Sequence, residues 1–219
     1  MSDSFDYSTT YFWQEGKPNL HACLQIAFEA AKKHEVQKIV IFTGAGDGIR
    51  AASEDFLSQE QYADIRIVAV TFPHGHKYDI SEVESNWIVS QNIPLVRAHL
   101  PFDPIKAQYQ GYGVLGHDFS LLGNLLTIFG GSMSLCVQAV LMACDAGIVR
   151  QGEHVISMTS DTAILVRSAP TSHLLTDFIV REIFCKSVVM NISKKEKIDL
   201  PTTTVTPELE ATSSKAIEG

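Results

Sequence analysis

The chain has 219 residues, of which 45% are hydrophobic, and a formal net charge of -8 at pH 7. A chain of this length and composition can bury a substantial core within one domain. Its negative charge and its lack of a basic cluster argue against nucleic acid and against an anionic membrane as the main partner.

The compartment is predicted from the first residues and from the cysteines. Met1–Asp6 contains neither the basic segment nor the apolar segment of an export signal. The four cysteines form no Cys-x-x-Cys pair and lie in apolar stretches, as free buried thiols do in a reducing compartment. We therefore expect a cytoplasmic protein.

The first half of the chain alternates β-rich and helical segments. Thr9–Trp13 is rich in β-formers, and Asn19 is predicted to cap a helix from Leu20 to about Glu35. The elements predicted next are a strand at Lys38–Phe42, a helix through about Phe56, a strand at Ile65–Thr71, a helix from the capping box Ser81-x-x-Glu84 to about Asn92, and a strand at Leu95–Leu100.

The second half opens with a loop-like segment, Pro101–Phe119, in which Tyr109 and Tyr112 are candidates for a flap over a pocket. Two polar residues, Ser160 and Asp161, separate two β-rich runs and predict a hairpin. The predicted elements are helices at Ser120–Phe129 and Ser134–Ala146, strands at His154–Thr159 and Thr162–Arg167, and a further strand near Val180–Cys185.

These elements predict an α/β fold, a three-layer α/β/α sandwich whose sheet is mostly parallel with an antiparallel edge strand. We expect a single domain over residues 1–192 and a disordered polar tail over 193–219. Ligands of such sheets bind outside the carboxyl ends of the strands. That edge is predicted to collect Thr43–Gly48, Thr71–Lys77 and His99–Phe102.

A glycine-rich loop between a predicted strand and a predicted helix is the strongest candidate site. Such a loop presents backbone amides to an anion and lets a ligand approach closely. Ile49 replaces the third glycine of a dinucleotide fingerprint, and Gly48 is not followed by the lysine of a Walker loop. An ordinary tight turn remains the alternative. The residues predicted to surround the anion are Thr43, Gly44, Ala45, Gly46, Asp47 and Gly48.

Four more residues are predicted to line the rest of this pocket: Thr71, His74, Lys77 and His99. His74 and His76 lack a third ligand at suitable spacing, so no metal site is predicted. Asp47 is expected to cap the helix or to accept a hydrogen bond from a ligand hydroxyl. No nucleophile elbow or Cys–His pair is present, so no catalytic residue is assigned.

Several segments occur in the order and spacing of one family: Thr10–Phe12, Thr43–Gly48, Val70–Thr71, His99, Met142–Gly147, Asp161–Arg167 and Arg181–Cys185. This pattern, over residues 8–188, resembles stand-alone proteins with the fold of the pyruvate kinase C-terminal α/β domain. The chain departs from it at Thr159–Ser160, where a longer glycine- and arginine-rich turn is expected, and in the tail after Ser193.

The resemblance implies a function. In regulated pyruvate kinases the loop after the first strand of this domain holds a sugar-phosphate effector. The barrel that carries out phosphoryl transfer in those enzymes is absent from this chain. The resemblance thus implies a regulatory or sensor module that binds a small phosphorylated ligand, a nucleotide or sugar phosphate, without kinase activity. Flavin mononucleotide (FMN) is one candidate occupant, and an FMN-dependent oxidoreductase is the alternative function. Self-association into a homo-oligomer is left open.

Overall fold

The structure, a computed structural model of the chain, describes residues 7–102 and 116–188, without the side chains of 116–121. The strands are β1 (Thr10–Phe12), β2 (Lys38–Phe42), β3 (Arg66–Thr71), β4 (Leu95–Arg97), β5 (His154–Met158), β6 (Ala163–Arg167) and β7 (Ile179–Ser187). The helices are α1 (Leu20–Lys33), α2 (Asp47–Ala51, continued by a π-helical turn at Ala52–Phe56), α3 (Glu82–Ser90), α4 (Gly116–Thr127), α5 (Met133–Asp145) and α6 (Leu174–Asp177).

The strands form one sheet in the order β1-β7-β6-β5-β2-β3-β4. β6 is antiparallel to both of its neighbours, and all other pairs are parallel. The chain therefore runs outward from β2 through β3 to β4, then returns to place β5 on the opposite side of β2. The boundary between β2 and β5 is the point at which the strand order reverses, where α/β sheets bind ligands.

Helices cover both faces of the sheet, because the strands are apolar on both sides. Within β2, Ile39 and Ile41 pack toward α1, α2 and α3, whereas Val40 and Phe42 pack toward α5. This alternation follows from the period of two in a strand. The predicted three-layer sandwich, with a mostly parallel sheet and antiparallel pairing toward one edge, is confirmed.

The predicted strands and helices are found with a few shifts. The antiparallel strand β6 lies third from its edge, because β7 and β1 pair beyond it. α4 begins at Gly116, within the predicted loop, and β4 ends at Arg97. The predicted flap residues Tyr109 and Tyr112 and the tail 193–219 lie outside the described residues.

The predicted cap of α1 is wrong in its chemistry. Asn19 occupies the N-cap position, but its side chain caps nothing; its Nδ2 instead donates to the carbonyl of Gln14. The capping box at α3 is half formed: the Glu84 amide donates to Ser81 Oγ over 3.2 Å, while the Glu84 carboxylate binds elsewhere. In the described part of the chain, none of the helices has the length and apolarity that crossing a bilayer requires.

Candidate functional site

A cleft of about 270 Å³ opens between β2 and β5 at the carboxyl ends of these strands. Its lining includes the glycine-loop residues Thr43, Gly44, Ala45, Asp47 and Gly48 and the polar residues Lys17, Ser132, Thr159 and Ser160. Its apolar lining residues are Leu20, Ile41, Phe42, Phe72 and Leu135. The cleft thus lies at the point of strand-order reversal, in the location expected for a ligand site of an α/β sheet.

The glycine loop forms one wall of the cleft. Gly46 has a left-handed φ of +91°, and its amide donates to Thr43 Oγ1 over 2.8 Å. Because this hydroxyl accepts from Gly46, its own proton is left to donate elsewhere. The amides of Gly44 and Ala45 donate no hydrogen bond within the described part of the chain. This wall of the cleft is therefore rich in hydrogen-bond donors.

The outer side of the loop is closed by α3. A Cβ on Gly46 would lie 2.2 Å from Glu84 Cγ, so glycine is required there on two grounds, steric and conformational. The carboxylate of Glu84 binds Arg50 over 2.7 Å, and the Arg50 guanidinium lies 4.0 Å from the centre of the Trp87 ring. A ligand therefore reaches the loop through Gly44 and Ala45 rather than through Gly46.

Asp161 organises the opposite wall of the cleft. Only 2% of this residue is exposed, and one carboxylate oxygen accepts the Gly16 amide over 2.7 Å. The other oxygen accepts the hydroxyls of Ser132, Thr159 and Thr162 at 3.0, 3.2 and 3.0 Å. One buried carboxylate thus connects the segment before α1, the start of α5 and the β5–β6 turn.

The charged side chains that line the cleft cancel one another. Lys17 Nζ lies 3.0 Å from Asp47 Oδ2, and both side chains are more than half exposed. Among the described residues, no arginine or histidine lines the cleft. Any anion bound there has to rely largely on neutral donors, with Lys17 as the one cation at hand on the described walls.

The residues predicted for the site fall into two groups. Five of them line the cleft: Thr43, Gly44, Ala45, Asp47 and Gly48. The others lie outside its lining: Gly46, Thr71, His74, Lys77 and His99. Thr71 is completely buried, and its hydroxyl has no hydrogen-bond partner among the described residues. His74, Lys77 and His99 are exposed.

The loop after β3 has its own network, built around Asp79. The Gly75 amide donates to Asp79 Oδ2 over 3.0 Å, and Arg97 forms a salt bridge with Oδ1. These two contacts, the Gly75 amide first, lower the pKa of the Asp79 carboxyl. His74 Nδ1 lies 3.7 Å from the same carboxylate. His74 thus lies beside Asp79 and outside the lining of the cleft.

Three buried thiols lie beneath the β5–β6 turn. Cys23 Sγ is 3.4 Å from Cys185 Sγ and 3.5 Å from the carbonyl of Thr159. The hydrogen bond with Cys185, followed by burial, raises the pKa of the Cys23 thiol. Burial and the nearby Asp161 raise the pKa of Cys136. Thiols in this state are poor nucleophiles and act as core residues.

Sequence reasoning missed Lys17, Ser132, Thr159 and Asp161. Asp161 lies in a two-residue turn at the carboxyl end of β5. Had β5 been known to lie beside β2, this position would have predicted that the turn contributes to the ligand site. The described residues contain no group of three or more histidine, cysteine or acidic side chains suited to a metal ion.

No family model matches the chain. Among solved structures, it is similar to a pyruvate kinase of Cryptosporidium parvum, with 15% identity and a TM-score of 0.34 over 68% of this chain and 22% of that one. A structure of Cryptosporidium parvum pyruvate kinase in complex with ADP matches with 13% identity and a TM-score of 0.32, over 77% and 24% of the two chains. The chain therefore spans under a quarter of the length of these two kinase chains.

Proposed function

We propose that the protein binds a small phosphorylated ligand in the cleft between β2 and β5 and acts as a regulatory or sensor module without pyruvate kinase activity. The observation that carries the proposal is the donor wall of the cleft. There the amides of Gly44 and Ala45 have no partner in the described chain, and the Thr43 hydroxyl is left with a proton to donate. Loops of this kind bind phosphate through backbone amides.

An FMN-dependent oxidoreductase is the second candidate. The same wall suits the phosphate of FMN, and the apolar lining, which includes Phe42 and Phe72, suits a flat ring. When bound, FMN would itself supply the redox chemistry. This chain would contribute binding through Gly44 and Ala45 and would exclude water with its apolar lining.

Ligand binding and a variant of Gly44 test the proposal together. Gly44 has no left-handed φ, and a Cβ there meets no atom within 4 Å. Gly44→Val therefore adds bulk at the cleft lining, and its Cβ has room there. A ligand present at 100 times its Kd stabilises the native protein by about 2.7 kcal/mol. We expect thermal shifts with phosphorylated compounds for the wild type and none for Gly44→Val.

Ala63→Val, at an exposed helical turn remote from the cleft lining, is the matched control and is expected to bind as the wild type does. Absorbance in the flavin bands after incubation with FMN distinguishes the two candidate functions. If nucleotides, sugar phosphates and FMN all fail to shift the melting temperature of the folded wild type, the proposal is wrong. It is equally wrong if Gly44→Val binds as tightly as the wild type.

A further inference from the structure

Two wholly buried thiols face each other beneath the β5–β6 turn. Cys23, on α1, and Cys185, on β7, have no exposed surface, and their Sγ atoms are 3.4 Å apart. The two residues are 162 positions apart in the sequence, so only the packing of α1 on the sheet brings their side chains into contact. A disulfide bond holds two sulfur atoms at about 2.05 Å, so an approach of about 1.4 Å separates this pair from the bond.

The same pair is connected to the cleft through one carbonyl group. Cys23 Sγ lies 3.5 Å from the carbonyl oxygen of Thr159 and donates its proton there. Because a thiol has one proton, the contact between the two sulfur atoms is then made by the Cys185 thiol, which donates to Cys23. Thr159 and the next residue, Ser160, both line the cleft. The hydrogen bond from Cys23 therefore supports the turn that forms one wall of the ligand site.

We propose that Cys23 and Cys185 form a reversible disulfide bond when the protein meets a peroxide, and that this bond weakens ligand binding in the cleft. The effect on ligand binding rests on the proposed function. A disulfide sulfur carries no proton, so oxidation removes the hydrogen bond to the Thr159 carbonyl and draws Cys23 toward Cys185. The wall formed by Thr159 and Ser160 then loses this support.

One molecule of hydrogen peroxide balances the oxidation. One cysteine attacks an oxygen of the peroxide as its thiolate, the O–O bond breaks, and the leaving hydroxide takes up the thiol proton as water, so that this cysteine becomes a sulfenic acid. The second thiol then attacks the sulfenic sulfur, the S–S bond forms, the S–O bond breaks and a second water leaves. The two sulfur atoms together lose two electrons, which reduce the peroxide. An added dithiol reverses the step by thiol–disulfide exchange.

Burial makes this reaction slow and selective. The thiolate is the reactive form of a cysteine, and the hydrogen bond with Cys185, followed by burial, raises the pKa of Cys23 and keeps it protonated. The other two cysteines are placed differently, since Cys136 Sγ donates to the carbonyl of Thr162 over 3.7 Å and Cys144 is half-buried. We therefore expect a reaction on the order of minutes to hours that joins Cys23 to Cys185.

Peroxide treatment of the folded protein, followed by blocking of the remaining thiols and peptide mapping by mass spectrometry, tests the bond itself. We expect the wild type to lose two hydrogen atoms and to gain one link between Cys23 and Cys185, which dithiothreitol reverses. Cys144→Ala is the matched control and is expected to form the same link. Cys185→Ala, or Cys185→Ser where alanine prevents folding, is expected to form none. If the folded wild type does not join these two residues, whether it stays reduced or oxidises elsewhere, the proposal is wrong.

Isothermal titration of reduced and oxidised wild type with FMN, adenosine 5′-monophosphate and fructose 6-phosphate tests the effect on the cleft. We expect oxidation to weaken binding about fivefold, as the loss of one ordinary hydrogen bond does, and dithiothreitol to restore it. Peroxide is expected to leave the affinity of the Cys185 variant unchanged. An oxidised wild type that binds as tightly as the reduced one overturns the link to the cleft and leaves the proposed function standing. If none of the three probes binds the reduced protein, the proposed function falls with that link, whereas the mapping still decides whether the bond forms.

Discussion

Removing the Asp161 carboxylate should cost more stability than removing any exposed acid of this chain. Asp161 is 2% exposed and accepts four hydrogen bonds, from the Gly16 amide and from the hydroxyls of Ser132, Thr159 and Thr162. In Asp161→Ala the hydroxyls can rotate toward other acceptors, whereas the Gly16 amide cannot. The half-buried Gly16 amide thereby loses its acceptor, and a lost charge-assisted hydrogen bond costs about 1.5–3 kcal/mol.

Together with the smaller cost of redirecting the three hydroxyls, this gives an expected loss of about 2–4 kcal/mol in the free energy of unfolding of Asp161→Ala. Asp161→Asn keeps the shape and an acceptor for the hydroxyls. Whichever way its amide is turned, however, its nitrogen faces groups that donate to Asp161 in the wild type, either the Gly16 amide or the three hydroxyls. We expect a loss of about 2–3 kcal/mol for this variant.

Urea unfolding followed by circular dichroism measures both losses. Asp64→Ala, at an exposed position, is the control and is expected to change the free energy of unfolding by less than about 0.5 kcal/mol. If Asp161→Ala unfolds within about 1 kcal/mol of the wild type, the four contacts do not form the stabilising network described here.

Two further predictions concern the loop and the thiols. Gly46→Ala should lower the free energy of unfolding by about 1–3 kcal/mol, because the new side chain meets both a left-handed φ and Glu84. Gly44→Ala should change it by less than about 0.5 kcal/mol, because that position has neither constraint. Urea titrations measure both values, and equal losses for the two variants would contradict the steric role of Gly46. The raised pKa of Cys136 means that the folded protein keeps this thiol protonated while the unfolded chain ionises it. The contribution of Cys136 to the free energy of unfolding is therefore constant below the unfolded pKa, about 8.5, and decreases as the pH rises above it. Between pH 8.5 and 10, Cys136→Ala should lose less stability than the wild type, by up to about 1.4 kcal/mol per pH unit; identical pH profiles would refute the linkage.

Much of the fold was predictable because its determinants are local. Apolar β-branched runs such as Ile67–Val70 specify strands that are covered on both faces. The Ser160–Asp161 turn specifies an antiparallel pair, which the register of β5 with β6 confirms. Ser81 specifies the start of α3, because its hydroxyl oxygen accepts an amide that the helix itself cannot satisfy.

The order of the strands in the sheet could not be predicted from the sequence. The set of residues that line the cleft depends on that order. A period of two says which faces of a strand are buried, but it does not say which strand lies beside it. Only the packing puts β5 next to β2, and so brings Thr159 and Ser160 to the cleft that the glycine loop lines. The pairing of Asp47 with Lys17 also could not be predicted from the local sequence. Lys17 is 30 positions away, and the short helical turn before α1 brings it to Asp47.

The sequence by itself therefore determined the classes and approximate limits of the elements and the place of one glycine loop. These depend on contacts between residues a few positions apart. The tertiary structure alone decided what faces that loop: serine and threonine hydroxyls held by the buried Asp161, and a lysine already paired with an aspartate. Those contacts join segments separated by up to 145 positions, and only the packing of α1 and α5 on the two faces of one sheet brings them together.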